Sequence, residues 1–407
     1  MKRIASLIIL VTLFVSYSFA QSISYGDSII VSLLTCEPGK ELYSQFGHTA
    51  IRIKDTNGVD MVYNYGIFDF RAESFYWKFA KGKTDYMLGV YPTVHFIAEY
   101  TERNSNVWEQ ILNLNKLEKQ RLIEMLNFNN LPENRIYRYN FIYDNCSTRP
   151  YEMINRSLLK VTSVYSPYEA ESYRDMINDR IDDFPWSKAG INLLFGTDAD
   201  RVVRNQTRVF LPDNLMDVFQ STKLICMTDT KNSIPLVSKT QLLVQATSKN
   251  EIYVNWLWHP FTISLIWLLI GLIIIALRHN IDALTNKVFD SALFFITGVG
   301  GVIIFFFMFF SEHPFTGKNL NILWMNPMNI LLSFMVWKRS PRKFFFFYNI
   351  AYILMIALNF FVVIFLSHSI IYELVPLQIL LFARILWREE RLLHILFVPT
   401  DKGIKWR

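Results

Sequence analysis

Beyond Trp256 the chain turns to Leu, Ile and Phe, arranged in five apolar runs near residues 257–277, 292–311, 321–337, 346–366 and 370–387. Each is about long enough to cross ~30 Å of hydrocarbon as a helix, the third and fifth being short or interrupted by polar residues. Backbone in lipid has no water to bond to, so runs of this kind fold as helices. The chain therefore divides into an all-α, five-helix transmembrane domain over 256–390, a short tail over 391–407, and a long preceding segment that needs its own core.

That segment reads as exported. Residues 1–20 open with Lys2-Arg3, continue through an apolar stretch and finish Ser18-Phe19-Ala20 before Gln21, the pattern of a cleavable secretory signal. The alternative is a retained anchor, for which the apolar stretch is short. If residues 21–255 are periplasmic, the loops alternate from there. Arg278 and Lys287, then Lys338, Arg339, Arg342 and Lys343, then the basic residues from Arg384 to Arg407 all fall on the cytoplasmic side, and Lys318 is the lone basic residue in the outer loops. The expected location is a bacterial inner membrane, with the C-terminus cytoplasmic.

The net charge of +6 is thus largely a topology signal, and no basic stripe interleaved with aromatics asks for nucleic acid. No Cys-x-x-Cys or His-x-x-x-His pair is present, so neither a metal nor a cofactor is expected. Cys36, Cys146 and Cys226 all precede the membrane domain, where one bridge would leave one thiol over.

Within the exported domain, Ser28–Cys36, His48–Lys54 and Asp60–Tyr65 read as strands, the last two as a hairpin across Thr56-Asn57-Gly58. Further strands are expected at Thr84–Tyr91 and Val107–Asn113. Asn115 and Glu118 then open a helix with a capping box. Ile136–Tyr143 alternates once more and ends in Asp144-Asn145-Cys146-Ser147-Thr148, a cluster of helix-capping residues, which places Cys146 at the start of a helix running through Met153 and Leu158. Residues 165–245 read as mostly helical and connective.

A thiol attacks as thiolate, and a helix N-terminus favours the anion. Cys146 has that setting, with Arg149 one turn along. His48 and His95 are the histidines of the exported domain proper, and His48 heads a strand behind Gly47, which permits a close approach of backbone or substrate. A cysteine at a helix start, a histidine on a neighbouring strand and a third polar group to hold the imidazole form an activated nucleophile. Asn64 or Asp69 is the candidate third group. The other reading of Cys146 is a structural disulfide with Cys36 or Cys226, and of His48 a satisfied core histidine.

The segments Phe46-Gly47-His48-Thr49-Ala50-Ile51-Arg52, Tyr63-Asn64-Tyr65-Gly66-Ile67-Phe68-Asp69-Phe70 and Arg138-Tyr139-Asn140-Phe141 with Tyr143-Asp144-Asn145-Cys146-Ser147-Thr148-Arg149, together with the five-helix tail, resemble the Lnb-type lipoprotein N-acyltransferases of Bacteroidota and relatives. The order of histidine strand before cysteine helix is also similar to the circularly permuted papain-like group that includes lecithin:retinol acyltransferase. The resemblance implies an α+β catalytic domain with an antiparallel sheet. It further implies that a phospholipid acyl chain passes through a Cys146 thioester to the amine of a diacylated lipoprotein, with His48 as base. Backbone N–H groups around Cys146 are then expected to hold the oxyanion, with Tyr143 or Asn140 as a nearby side chain, and Asn145, Arg149, His313 and Asn326 are further candidates for oxyanion or substrate contact. Asn326 and Asn329, costly in an apolar helix unless paired, serve either substrate or helix packing. Trp256, Trp258 and Trp324 are expected in the interfacial aromatic belt. The competing functions are a membrane-anchored cysteine hydrolase and a non-catalytic envelope sensor.

Overall fold

A computed structural model describes residue 25 and residues 28–388, with breaks at 70, 160, 165–170, 227–228, 249–253, 278–279, 338–341 and 366–370. Residues 1–20, read above as a signal, the stretch over 391–407, the basic residues at 278, 338 and 339, and the side chain of Cys226 lie outside the described residues.

The strands β1 (Ile29–Cys36), β2 (His48–Asp55), β3 (Asp60–Ile67), β4 (Asp85–Pro92), β5 (Val107–Leu112) and β6 (Ile136–Arg138) pair antiparallel. β1 and β2 are buried along nearly their whole length because both faces of the sheet are covered. On one face α2 (Thr93–Glu102) packs Phe96 and Tyr100 against Leu34, Ala50 and Val62. On the other, α3 (Lys116–Asn129) and α4 (Thr148–Ser157) pack Leu122, Leu126 and Ile154 against Leu33, Ile51 and Tyr63. The capping box expected at Asn115 and Glu118 is present. A short helix, α1 (Phe75–Ala80), links β3 to β4.

The expectation of mostly helical and connective structure over 165–245 is corrected in its second half. After α5 (Tyr173–Arg180), α6 (Pro185–Leu194) and α7 (Pro212–Ser221) come β8 (Thr222–Cys226), β9 (Asp229–Pro235) and β10 (Val237–Val244). β8 and β9 form a small sheet with β7 (Val161–Val164), whereas β10 pairs with β5 and completes a seven-stranded sheet in the order β10-β5-β1-β2-β3-β4-β6.

Beyond Trp256 the described helices are α8 (Pro260–Ala276), α9 (Ala283–Phe310), α10 (Asn329–Met335), α11 (Arg342–Phe365) and α12 (Val375–Arg388). By length and composition α9 is able to cross a membrane, and α8 and the apolar part of α11 are shorter. The third apolar run is broken: a 3-10 turn at Leu320–Leu323 precedes Asn326-Pro327, and the seven residues of α10 rise only ~10 Å, far below a crossing. This segment lies against α9, where a Cβ at Gly298 would meet Ile330 N at 2.5 Å and one at Gly301 the Met325 carbonyl at 2.4 Å. Asn329 is fully buried, and its Nδ2 donates to Thr297 Oγ1 and Tyr352 Oη, which is helix packing. Trp324 is fully buried with its Nε1 on Asn321 Oδ1, which removes it from the aromatic belt.

Near the start of α9, Asp290 holds Arg384 and Arg388 of α12, each through a 2.8 Å hydrogen bond. Asp290→Ala strands the buried Arg384 guanidinium and is expected to cost ~3–5 kcal/mol, read as a lower melting temperature of the detergent-solubilised chain.

Candidate active site

The site is assembled where α4 begins. Asn145 is buried and builds the turn: its Oδ1 accepts from Ser147 N (2.8 Å) and Thr148 N (2.9 Å), while its Nδ2 donates to the carbonyls of Phe141 and Phe210. Its amide is therefore committed to the backbone. Ser147 is the N-cap of a helix that begins at Thr148, so Cys146 stands one residue before the cap, its sulfur outside any disulfide. The carbonyl of Cys146 would ordinarily accept from the residue four along, but that residue is Pro150, which has no N–H. The hydroxyl of Thr49, fully buried next to His48 on β2, donates to this carbonyl instead. One proline and one threonine thus tie the cysteine turn to the histidine strand.

His48 and Cys146 meet over Gly66. At that point β3 carries an extra residue relative to β4, since Tyr65 pairs with Leu88 and Ile67 with Met87, and Gly66 adopts a φ of 110°. A Cβ at this position would lie 3.3 Å from His48 Cε1 and 3.5 Å from Cys146 Cβ, so both residues press on the same hydrogen-only face. Gly66→Ala is expected to cost ~1–3 kcal/mol in backbone strain and to slow alkylation of Cys146. Thermal melts and iodoacetamide labelling measure the two effects. The close approach at Gly47 is made by backbone, the Cys36 carbonyl lying 2.6 Å from where a side chain there would begin.

His48 Nε2 donates to Asn64 Oδ1 at 2.6 Å. Asn64 is itself held, because its Nδ2 donates to Tyr91 Oη at 2.8 Å, which turns the amide oxygen to the imidazole. With Nε2 engaged by Asn64, Nδ1 is the ring nitrogen left for the hydrogen bond between His48 and Cys146. Asn64→Ala frees the ring and is expected to slow alkylation of Cys146 at neutral pH by about tenfold, ~1.4 kcal/mol. Asp69 lies apart from this arrangement: its carboxylate is exposed, accepts from Arg71 N and pairs with the Arg71 guanidinium.

Burial pushes the Cys146 thiol up, but the adjacent His48 imidazolium, hydrogen bonds from His48 and the Thr49 backbone, and the Ser147 hydroxyl outweigh it, and the net direction is down. The Ser147 hydroxyl is buried and has no oxygen or nitrogen partner among the described residues. Burial pushes His48 down, and the Cys146 thiolate and the Asn64 hydrogen bond reverse this, so His48 is raised. The two directions together describe a thiolate–imidazolium pair. Burial also raises the nearby Tyr86, Tyr137 and Tyr139 hydroxyls, the thiolate adding to it, so these phenols stay protonated.

Cys36 is buried on the α2 side of the sheet and is also a free thiol, so it makes no bridge to Cys146. Of the other sequence candidates, Arg149 is committed to Asp144 and stacks 3.6 Å over the Tyr137 ring. Asn140 Oδ1 accepts from the backbone of Ile142 and Tyr143. The Tyr143 side chain is exposed and meets the ring of Phe315. His313 Nε2 donates to the Phe79 carbonyl at 2.6 Å. Asn326 Oδ1 accepts from Met328 N. The structure thus brings Cys146, His48 and Asn64 together and places Tyr143, His313 and Asn326 in contacts of their own. Thr49, Gly66 and Tyr91 were not singled out by sequence. The missing N–H of Pro150 was the one available signal for Thr49.

Fold and site define a membrane-anchored α+β protein with a Cys–His–Asn constellation at a helix start. The chain belongs to the Lnb family: the model described as the Lnb N-terminal periplasmic domain matches residues 18–179, and that of the Lnb transmembrane domain matches residues 252–389. Among curated proteins and among solved structures, nothing matches. The N-terminal part is accordingly a periplasmic domain and the C-terminal part a helical membrane domain. The stretch between the two matches contributes α6, α7 and the edge strand β10.

Proposed function

We propose that this protein is a lipoprotein N-acyltransferase of the bacterial inner membrane, with its signal segment removed, residues 21–255 forming the catalytic domain and the C-terminus cytoplasmic. The observation that carries the reading is the Cys146–His48–Asn64 arrangement, the residue set of papain-like enzymes, on a periplasmic domain joined to a membrane anchor. The histidine strand preceding the cysteine helix agrees with a permuted papain-like domain.

In the first step the Cys146 thiolate attacks an ester carbonyl of a phospholipid. The carbonyl oxygen takes the negative charge, the ester C–O bond breaks, and the His48 imidazolium gives its proton to the departing glycerol oxygen, leaving an S-acyl cysteine and a lysophospholipid. In the second, neutral His48 takes a proton as the α-amine of a diacylglyceryl-cysteine lipoprotein attacks the thioester. An amide forms and the thiol is regenerated. The N–H groups of Ser147 and Thr148 are engaged by Asn145, so the oxyanion donor assigned here is the N–H of Cys146. Both substrates are confined to the bilayer, and the anchor raises their effective concentration at the sulfur.

The test is mass spectrometry of lipoprotein N-terminal peptides from a strain lacking the gene. A free α-amine on the diacylglyceryl-cysteine, restored to an N-acyl group by the wild-type copy, is the expected result. Fully N-acylated lipoproteins in the deletion strain would reject the reading.

A further inference from the structure

Two short segments near the site leave large apolar side chains in the open. In α1, Tyr76 is 76 % exposed, Trp77 55 % and Phe79 43 %, and in the 3-10 turn Leu42–Ser44, Leu42 is 61 % and Tyr43 52 % exposed. A patch of this kind marks a contact surface. The two segments are one surface, because Phe68 sits between them with its ring 6.0 Å from Tyr43 and 5.9 Å from Phe75.

The position of this surface is fixed by the membrane domain. The Trp77 ring lies 5.4 Å from Phe306 near the end of α9. Just beyond that helix, Ser311 Oγ donates to the Ala80 carbonyl (2.9 Å) and Glu312 N donates to the Lys81 carbonyl (2.8 Å). Phe309 and Phe310 of α9 are more than half exposed, so the patch continues the apolar surface of the membrane-spanning helix. Its rim carries both signs: Arg71 is almost wholly exposed but pairs with the exposed Asp69, Glu73 is exposed as well, Lys78 is exposed, and Lys81 lies 4.7 Å over the Trp77 ring. Aromatic residues beside cations at the end of a spanning helix suit the boundary between head groups and acyl chains.

We propose that Leu42, Tyr43, Tyr76, Trp77 and Phe79 rest in the periplasmic leaflet at that boundary, with Lys78 and Lys81 on the side of the lipid head groups. The acyl route to the sulfur then runs from the same surface along its packed aromatic row, in which Phe68 stacks on Tyr86 (4.8 Å) and Tyr86 on Tyr139 (4.1 Å), two phenols that feel the charge of Cys146. A phospholipid whose head is held at the rim presents its ester along this row. The route rests on the proposed acyl transfer, whereas the lipid contact does not.

The test places the full chain in nanodiscs of phospholipid brominated near the ester end of its acyl chains, and compares tryptophan emission of wild type and Trp77→Phe. Trp267→Phe, in α8, serves as the positive control. The difference emission of Trp77 is expected to be quenched, and more strongly than by bromine near the methyl end. An unquenched Trp77 beside a quenched Trp267 overturns the proposal and indicates a protein partner or a second copy on the patch. In a second arm, Tyr76→Glu with Trp77→Glu is expected to lower acyl transfer from a bilayer by about tenfold while sparing a soluble short-chain ester. An equal loss on both substrates contradicts the route. Quenching in a chain without any transferase activity rejects the proposed function and keeps the lipid contact.

Discussion

Replacing Cys146 by Ala is expected to leave the chain folded in the membrane and to abolish acyl transfer, and Cys146→Ser is expected to lower the rate by at least about 10³-fold. The two substitutions separate packing from chemistry. Serine retains a hydroxyl at the same place, with the Thr49 hydroxyl still on the carbonyl of residue 146 and the Asn145 turn intact. A hydroxyl, however, is far too weak an acid to be held as an anion by an imidazolium, so the charge pair is lost. Transfer to a lipoprotein peptide in proteoliposomes, followed by mass spectrometry, measures both effects. A serine variant with near-wild-type rate would contradict the assignment of the sulfur.

His48→Ala is expected to lower transfer by ~10²–10⁴-fold, the range of a lost general acid–base group. Its signature is a change of pH profile. In the wild type the thiol is lowered and the imidazole raised, each by the other. As pH falls through the lowered thiol value, the thiolate is protonated and alkylation is lost. As pH rises through the raised imidazole value, the thiolate persists, so alkylation continues, but the proton needed by the leaving alcohol is gone and transfer declines. Wild-type alkylation is therefore sigmoidal and transfer bell-shaped. Without His48, burial is the largest influence left on Cys146, and it raises the thiol. The alkylation midpoint is expected to move alkaline, which iodoacetamide kinetics across a pH series would read. An unchanged midpoint would show that the imidazole does not hold the anion.

The parts of this site legible in sequence were those written in local pattern. β-branched and aromatic runs between turn signals exposed β1 to β5, the pair Asn115 and Glu118 announced α3, and the capping cluster around Cys146 announced α4. Sequence favoured Asn64 over Asp69 without a physical ground for the choice, because both follow His48 on the next strand and its exit. The bulge at Gly66 and the Tyr91 hydroxyl decide between them, and each depends on β4, a strand paired through space. β10 escaped notice for a related reason: its burial along the strand alternates poorly, and it pairs with β5 more than a hundred residues earlier. In the membrane domain, apolar composition marked every helix but did not distinguish a crossing from the broken segment at Asn326-Pro327. That segment is positioned by contact with the glycines of α9.

The most direct measurement is the intact mass of the purified chain after incubation with phospholipid and no amine acceptor. A single acyl mass on wild type, located on Cys146, released by hydroxylamine and missing in Cys146→Ala, is the predicted result. Turnover of phospholipid by wild type with an acyl group that never resides on residue 146 would contradict the covalent mechanism.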